Sequence, residues 1–397
     1  KEPASGYNNM RSSSIVKNRL ICLAAAAGIT GYTILILMAE SQLAVAGLLV
    51  LAAVLFAVGS RNGATAALGK LFHQNERLTD AIALVAAGIV TVCFAQDHYV
   101  LFMVATVMLY MVACLGMNIQ LGLAGVVNFC GASFFGVGCY TSAVLLNHTP
   151  LPPVLVILFG GICAAIIGSL LILPVLRTTG HYAALVTIAF ALLFKTFLDV
   201  NDTLGGPQGL QVPGMRLFGW DFSMPITIGG FEISFYVPYV LLCGVVLAAT
   251  FVLARRIERS WIGVNMDAVR LDETAASCFG LNLSRWKITA FTAGNFLIGV
   301  GSAIYGMMIG YIAPSNFAFS DSLILLSIVL LGGIGNLWGL LPATFIVVVL
   351  PEKFQVIQEY RFLLYATMVI LMLLYRPDGL TPRPLRTFFA PGAPNES

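Results

Sequence analysis

The sequence predicts an all-α, polytopic membrane protein with roughly 10 to 12 membrane segments, some of them short or re-entrant. Hydrophobic residues make up 59% of its 397 residues and charged residues only 10%, a composition outside the range of soluble domains. Apolar runs of about 20 residues, the length a helix needs to cross a bilayer, follow one another with short polar breaks. The basic residues lie beside these runs and form no cluster, which argues against nucleic-acid binding.

The apolar runs define the predicted segments in chain order. The first three are expected near residues 20–39, 43–58 and 78–95. Lys17 and Arg19 precede the first run as in a signal sequence, but apolar segments continue without a small-residue cleavage site, so a retained helix is expected. The remaining segments are predicted at 99–115, 126–146, 154–176, 182–198, 236–254, 287–312, 322–331, 337–350 and 362–375.

The distribution of Lys and Arg predicts the orientation of the chain, because cytoplasmic loops retain positive charge during insertion. The interval 199–235 carries four acidic residues and a single arginine, and is therefore predicted to be external. Parity then requires a turn at 332–336 that divides one apolar stretch into two short segments, with both termini in the cytoplasm. The basic residues that mark the cytoplasmic side are Arg61, Lys70, Arg77, Arg255, Arg256, Arg259, Arg270, Arg285, Arg376, Arg383 and Arg386.

The cysteines and histidines show no pattern of a catalytic or metal site. The eight cysteines are scattered through apolar stretches without a CxxC motif, so they are predicted to be small buried hydrophobes with neither metal nor disulfide. The four histidines lie near predicted helix ends, whereas a membrane enzyme would need convergent ligands or a nucleophile. The sequence has no G-x-x-x-x-G-K-[ST] motif, so the chain is predicted to hydrolyse no nucleotide and to be no enzyme.

Glycines at four-residue spacing meet amide side chains in residues 115–125, which contain Asn118 and Gln120. Such backbone at membrane depth is tolerated where it lines a wet cavity or is buried in protein. Two interpretations stay open: the glycines let helices approach closely, and the amides bond either a neighbouring helix or a solute. The glycines concerned here and just beyond are Gly122, Gly125, Gly131, Gly136 and Gly138.

A long charged interval, 255–287, lies between two apolar runs and is rich in helix-favouring residues. Apolar residues recur at near-helical spacing from Ile262 to Phe279, with charges between them. The spacing predicts a short amphipathic helix along the membrane surface, ended by Gly280. Because both its ends are tied to membrane helices, it would either transmit motion or serve as a passive connector held by pairs such as Arg270 with Glu273.

Ala275 and Ala276, followed by Gly280, resemble the loop by which permeases of ATP-binding-cassette (ABC) importers dock on their ATPase. The surrounding residues 270–287 are similar to the LivM-like permeases of branched-chain amino acid ABC transporters. Further blocks similar to that family occur in the same order at 122–141, 180–187, 205–210, 331–339 and 376–380. The resemblance covers roughly residues 99–380.

The resemblance implies three parts of the chain. Residues 1–98 would form peripheral membrane helices, 99–380 the permease core, and 381–397 a cytoplasmic tail. Within the core, 255–287 would be the cytoplasmic coupling loop and 199–235 the external loop. The residues implied to dock on the ATPase are Arg270, Asp272, Glu273, Ala275, Ala276 and Gly280. The candidates for the translocation pathway are Asn128, Ser133 and Thr187, each of which would equally suit a bond to a neighbouring helix.

The resemblance also implies partners. A second related permease would complete the pathway, two ATPase subunits would bind the ATP, and a periplasmic or extracellular solute-binding protein would deliver the solute. The chain itself would hold no cofactor and would lie in the bacterial inner membrane. Branched-chain amino acids are the expected solute. The chain departs from the family pattern at Cys130, Gly131 and His181, so urea, short amides and small organic acids stay open as alternatives.

A secondary transporter driven by an ion gradient is the alternative from a different class. It would need paired charges near the bilayer midplane, whereas the acidic residues of this chain cluster at loops. Lys195 is expected to reach the outer interface beside Asp199, and Asp321 to cap the start of the next helix. Neither charge is predicted to act inside the membrane.

Overall fold

The fold is a bundle of α-helices, as the composition predicts. The computed structural model describes residues 4–39, 41–61, 76–176, 181–217, 220–222, 224, 226–228, 231–354, 360–375, 379–381 and 383. The α-helices of these residues are α1 (Ala4–Met38), α2 (Gln42–Arg61), α3 (Glu76–Cys93), α4 (His98–Asn118), α5 (Gly131–His148), α6 (Pro153–Leu176), α7 (His181–Val200), α8 (Val237–Arg259), α9 (Trp261–Leu271), α10 (Glu273–Cys278), α11 (Leu283–Ile309), α12 (Phe319–Gly332), α13 (Leu340–Lys353) and α14 (Arg361–Tyr375). A π-helical turn, Ile119–Leu123, extends α4.

Within the described residues, six helices are long and apolar enough to cross a membrane: α1, α4 with its π-helical turn, α6, α7, α8 and α11. Shorter apolar stretches lie in α2, α3, α12 and α14. Both α12 and α13 have 14 residues, so each spans about 21 Å, against about 30 Å for the hydrocarbon layer of a bilayer. The prediction of a polytopic helical protein with some short segments is confirmed.

The chain turns between α12 and α13, as the charge distribution predicts. Gly333 and Gly335 have positive φ angles of 106° and 82°, a region that residues with a side chain rarely adopt. The two glycines therefore permit the reversal, and the predicted turn at 332–336 is confirmed.

The bundle has two ends with different connections. At one, the loop end, the backbone N–H of Ser234 donates to the carbonyl of Ala95 at 2.9 Å, and Asn147 Nδ2 donates to the carbonyl of Gln211 at 2.8 Å. At the other, the connector end, α9 and α10 join α8 to α11. Since the 23 residues of α8 separate the two regions, the acidic interval and the basic interval of the sequence lie at opposite ends.

Short strands at the loop end add β-structure that the all-α prediction does not include. The strand β1 (Leu210–Gln211) pairs antiparallel with β6 (Tyr311–Ile312). Two small antiparallel pairs lie between them in sequence: β2 (Arg216–Leu217) with β3 (Trp220–Asp221), and β4 (Ile226–Ile228) with β5 (Phe231–Ile233). A 3₁₀ turn, Pro314–Phe317, follows β6. The buried Phe317 ring anchors this turn, with its centroid 5.8 Å from that of Tyr140 on α5.

Glycines hold the central helices α5, α6 and α11 in close contact. A Cβ added at Gly299 of α11 would lie 2.5 Å from the carbonyl oxygen of Gly160 and 2.7 Å from Ala164 Cβ, both on α6. A Cβ added at Gly138 of α5 would lie 2.5 Å from the carbonyl oxygen of Gly299. These distances leave no room for a side chain, so the interpretation of the glycines as packing residues is confirmed at Gly138. It also holds at Gly131 and Gly136, whereas Gly122 packs against the α12–α13 turn at Gly335.

The first three helices contribute no residue to the main buried cluster of the described residues, which begins at Leu101. They form a second cluster, in which Leu37 and Phe94 pack with Val100 and neighbouring residues. Lys353 Nζ, at the end of α13, donates to the carbonyls of Leu37 at 2.8 Å and Ala39 at 3.2 Å. This cation satisfies carbonyls left open where α1 ends. The domain boundary at residue 98 stays a prediction.

The structure corrects the prediction for the cysteines. Five of the eight thiols are buried, Cys163 is half-buried, and Cys93 and Cys278 are exposed. The expectation of buried thiols is therefore wrong for those two, because Cys93 closes α3 and Cys278 closes the exposed helix α10.

The charges near the helix ends also differ in detail from the prediction. None of the ion pairs among the described residues joins Lys195 to Asp199; both residues are half-buried. Asp321 does cap α12, but from inside the first turn: its Oδ2 accepts the backbone N–H of Ala318 at 3.2 Å. The capping role is confirmed and the position differs, because α12 begins at Phe319 and not at residue 322.

Candidate functional site

The connector between α8 and α11 consists of two helices where the sequence predicts one. Asp272 has extended backbone angles (φ −155°, ψ 107°) and separates α9 from α10. Its Oδ1 accepts the backbone N–H groups of Thr274 at 2.8 Å and Ala275 at 3.0 Å. The prediction of a continuous helix is wrong here because aspartate is among the strongest N-cap residues and starts a new helix.

Gly280 ends α10 as predicted. Its φ is +80°, its N–H donates to the carbonyl of Ser277 at 3.0 Å, and the N–H of Leu281 donates to that of Ala276 at 3.1 Å. This pair of bonds is the Schellman motif, which favours glycine because of the left-handed backbone. The helix stop read from the sequence is confirmed.

The implied docking residues differ in accessibility. Ala276 is only 3% exposed and packs inside this chain, whereas Ala275, Asp272, Glu273 and Gly280 are exposed. A partner that reaches the connector therefore meets Ala275 and not Ala276. Large apolar side chains stand exposed beside it: Leu271 and Phe279 are 77% and 87% accessible.

The charged residues of the connector form pairs other than the predicted one. Within the described residues, Glu273 pairs with Lys287 at 2.7 Å, and Arg270 lies 3.8 Å from Asp267; Arg270 and Glu273 form no ion pair with each other. Burial, with the nearby charge of Arg383, lowers the pKa of Arg270, while Asp267 raises it. Arg270 is half-buried, and its Cγ lies close to Gly125, so it faces the bundle more than solvent.

A side chain far along the sequence completes the connector end. Arg383 donates from both terminal nitrogens to Asp267, at 2.6 Å and 2.8 Å, and Glu258 lies 3.8 Å away. The same guanidinium approaches the carbonyl of Gly122 at 3.5 Å. We call these contacts the Arg383 junction. From the sequence, Arg383 is predicted only to be a basic residue of the cytoplasmic tail.

The α12–α13 turn is fastened to the same end. Asn118 Oδ1, on the last residue of α4, accepts the backbone N–H of Gly335 at 2.8 Å. Thr381 Oγ1 donates to the carbonyl of Gly332 at 2.9 Å, and Asn336 Nδ2 donates to the carbonyl of Thr381 at 3.1 Å. The turn is therefore held by both α4 and the residues just before Arg383.

Buried amides link the π-helical turn to α11. Gln120 Nε2 donates to Asn295 Oδ1 at 2.9 Å and to the carbonyl of Phe291 at 3.1 Å, and Asn128 Nδ2 donates to Gln120 Oε1 at 2.7 Å. Of the two interpretations for the amides, the bond to a neighbouring helix is the one observed for Gln120. Asn295 was missed, although an amide within the apolar run 287–312 is itself a signal.

The three pathway candidates lie in or beside the irregular segment 126–130 and the start of α5. Asn128 Oδ1 accepts the N–H of Cys130 at 2.9 Å, and Thr187 Oγ1 accepts the N–H of Phe129 at 3.3 Å. Both side chains therefore brace this segment. Ser133 is fully buried, and its Oγ has no hydrogen-bond partner among the described residues. A pathway role for these residues stays a prediction.

We expect Asn128 and Ser133 to respond differently to substitution. Asn128→Ala removes a partner from Gln120 and from Cys130, which leaves buried polar groups unmet and costs about 1–3 kcal/mol of stability. Ser133→Ala removes a hydroxyl that bonds none of the described residues, so thermal unfolding in detergent should be unchanged. If Ser133 contacts the solute, Ser133→Ala should raise the KM for uptake. Equal loss of thermal stability in Asn128→Ala and Ser133→Ala would contradict the conclusion that only the Asn128 side chain supports buried hydrogen bonds.

Two of the residues that depart from the family pattern are packed inside the chain. A Cβ at Gly131 would lie 2.8 Å from Met117 Sδ, and Cys130 is buried with its sulfur 3.0 Å from Asn128 Oδ1. These two positions contribute to packing at the start of α5. His181 begins α7, and its side chain lies outside the described part of the chain.

Comparison with known proteins identifies the family of this chain. A family model described as the permease component of branched-chain amino acid transport systems matches residues 99–375. The high-affinity branched-chain amino acid permease protein LivM of Escherichia coli (strain K12) is 34% identical over 300 residues, covering 69% of this chain and 68% of the relative. LivM of Salmonella typhimurium is 33% identical over the same shares. The permease protein LivH of Escherichia coli (strain K12) is 21% identical and is covered over 92% of its length. No solved structure matches.

Proposed function

Because the chain belongs to the family of permease components of branched-chain amino acid transport systems, we propose that it forms half of the translocation pathway of an ABC importer. Its relatives LivM and LivH are both named as permease proteins of such a system. The second half of the pathway is accordingly a related permease. The proposed solutes are the branched-chain amino acids named in the descriptions of the relatives.

The observation that carries the proposal is the connector between two membrane-crossing helices. It consists of two short, capped helices that expose Ala275 between two large apolar side chains, Leu271 and Phe279. These residues lie beside charged groups at the connector end, and exposed apolar patches rimmed by polar residues mark contacts with partners or with the membrane. We assign this surface to an ATPase subunit, with Asp272, Glu273 and Gly280 at its rim.

The orientation and location of the chain follow from placing the ATPase at the connector. The connector end faces the cytoplasm, where ATP is available, and the loop end faces the solute-binding protein. The protein then lies in the bacterial inner membrane with both termini cytoplasmic, in agreement with the basic residues of the connector. ATP is bound and hydrolysed by two separate ATPase subunits, and this chain is no enzyme.

The test is transport by the whole complex. The chain is produced with the second permease, the ATPase subunits and the binding protein encoded beside it, and the complex is reconstituted in lipid vesicles. We expect ATP-dependent uptake of radiolabelled leucine, isoleucine or valine, with ATPase subunits copurifying with this chain. Competition by urea, acetamide or a small organic acid in place of leucine would assign the alternative solute. Uptake by this chain alone, driven by an ion gradient, would refute the proposal.

A further inference from the structure

The Arg383 junction is a partly shielded ion pair with fork geometry. The side chains of Arg383 and Asp267 are only 14% and 22% exposed, and two parallel N–H donors meet the two carboxylate oxygens. Exposed pairs contribute little because water and salt screen them. A forked, charge-assisted pair in a shielded position is stronger and fixes the orientation of both side chains.

The junction joins parts of the chain that are far apart in sequence. Asp267 is in α9, and the Gly122 carbonyl that faces Arg383 belongs to the π-helical turn. The stem of Arg383 lies against the α12–α13 turn, since a Cβ at Gly335 would be 2.7 Å from Arg383 Cδ. The Arg383 side chain therefore contacts the connector, the π-helical turn and the α12–α13 turn.

A second acidic group lies near the Arg383 guanidinium. Glu258, at the end of α8, has an oxygen 3.8 Å from the Arg383 guanidinium, while Asp267 holds the short bonds. A shift of α9 relative to α8 that weakens the Asp267 bonds would leave Glu258 as a second carboxylate for the arginine. Coupling between distant sites requires an element with two discrete arrangements.

We propose that Arg383, through its pair with Asp267, is the positioning residue that carries movement of the connector to the π-helical turn and the α12–α13 turn. The inference rests on the proposed function, because only an ATPase at the connector supplies that movement. Residues beyond α14 then take part in energy coupling. Arg383 itself contacts neither ATP nor solute.

The experiment measures solute transported per ATP hydrolysed in reconstituted complexes of wild type, Arg383→Gln, Asp267→Asn, and the double variant Arg383→Gln with Asp267→Asn. In both single variants we expect the ratio to fall about fivefold or more, the lower end of energetic couplings between sites, with the ATPase still bound. The double variant should lower the ratio no further than either single variant, because both substitutions remove the same pair. Arg216→Gln, which breaks the exposed pair with Asp221 at the loop end, is the matched control and should leave the ratio unchanged.

The outcomes separate this inference from the proposed function. Absence of ATP-dependent uptake in the wild-type complex refutes the proposed function. Wild-type uptake with an unchanged ratio in Arg383→Gln, or a double variant whose loss is the product of the two single losses, overturns the role of the junction alone. If Arg383→Gln does not assemble, Arg383→Lys replaces it: lysine keeps the charge and loses the fork, so a lowered ratio is expected. A wild-type ratio in that variant also overturns the role.

Discussion

Ala275→Trp is expected to abolish solute uptake by the complex and release the ATPase, while the permease itself stays folded. Ala275 is exposed on α10, so a large side chain there meets no atoms buried within this chain. A partner surface shaped around a methyl group would instead have to accommodate an indole. We expect the ATPase affinity to fall tenfold or more, equivalent to about 1.4 kcal/mol. Copurification and vesicle uptake measure the effect.

Two alanines provide controls for this prediction. Ala44 on α2 is also exposed but lies outside the connector, so Ala44→Trp should leave ATPase binding and uptake intact. Ala276 is buried, so Ala276→Trp should lower the thermal stability of the isolated chain by overpacking. ATPase binding at the wild-type level in Ala275→Trp would show that the partner does not contact this face of α10.

Gly299→Leu is expected to prevent correct folding of the chain. The added Cβ alone would approach the Gly160 carbonyl and Ala164 closer than atoms normally pack, and backbone atoms cannot yield as a flexible side chain can. Overpacking a well-filled core typically costs about 1–3 kcal/mol, and here three helices would have to separate, so we expect a cost at or above the upper end. Yield of monodisperse protein and thermal unfolding in detergent measure it.

The matched control is Gly244→Leu on α8. A Cβ at Gly244 would meet nothing within 4 Å, and leucine favours a helix more than glycine does. Its stability should equal or exceed that of the wild type. If Gly299→Leu unfolds at the same temperature as Gly244→Leu, then the close crossing of α5, α6 and α11 does not limit stability.

The sequence predicts most of the helical architecture because membrane segments carry a local signal. The apolar runs mark the spans, and the charge distribution requires the turn that Gly333 and Gly335 form. The glycine stop at residue 280 was also predicted. The break at Asp272 is not predicted, because the residues around it favour a helix and only the Asp272 side chain signals the start of a new one.

Contacts between residues that are far apart in sequence have no such local signal. Arg383 meets Asp267 across 116 positions of sequence, and neither residue has a spacing that points to the other. The burial of Ala276 beside an exposed Ala275 depends on how α10 lies against the bundle. The amides at residues 118 and 120 stood out in the sequence, but their partners depend on how the helices pack.

The short length of α12 has a consequence for the loop end. A helix of 14 residues leaves about 9 Å of the hydrocarbon depth without helix, if its other end lies at the connector surface. The preceding residues Pro314 to Phe317 continue the chain as a 3₁₀ turn, in which Pro314 and Phe317 are buried and Ser315 and Asn316 are exposed. Beyond α12, the loop side of the bundle is therefore formed by irregular chain and not by a membrane helix.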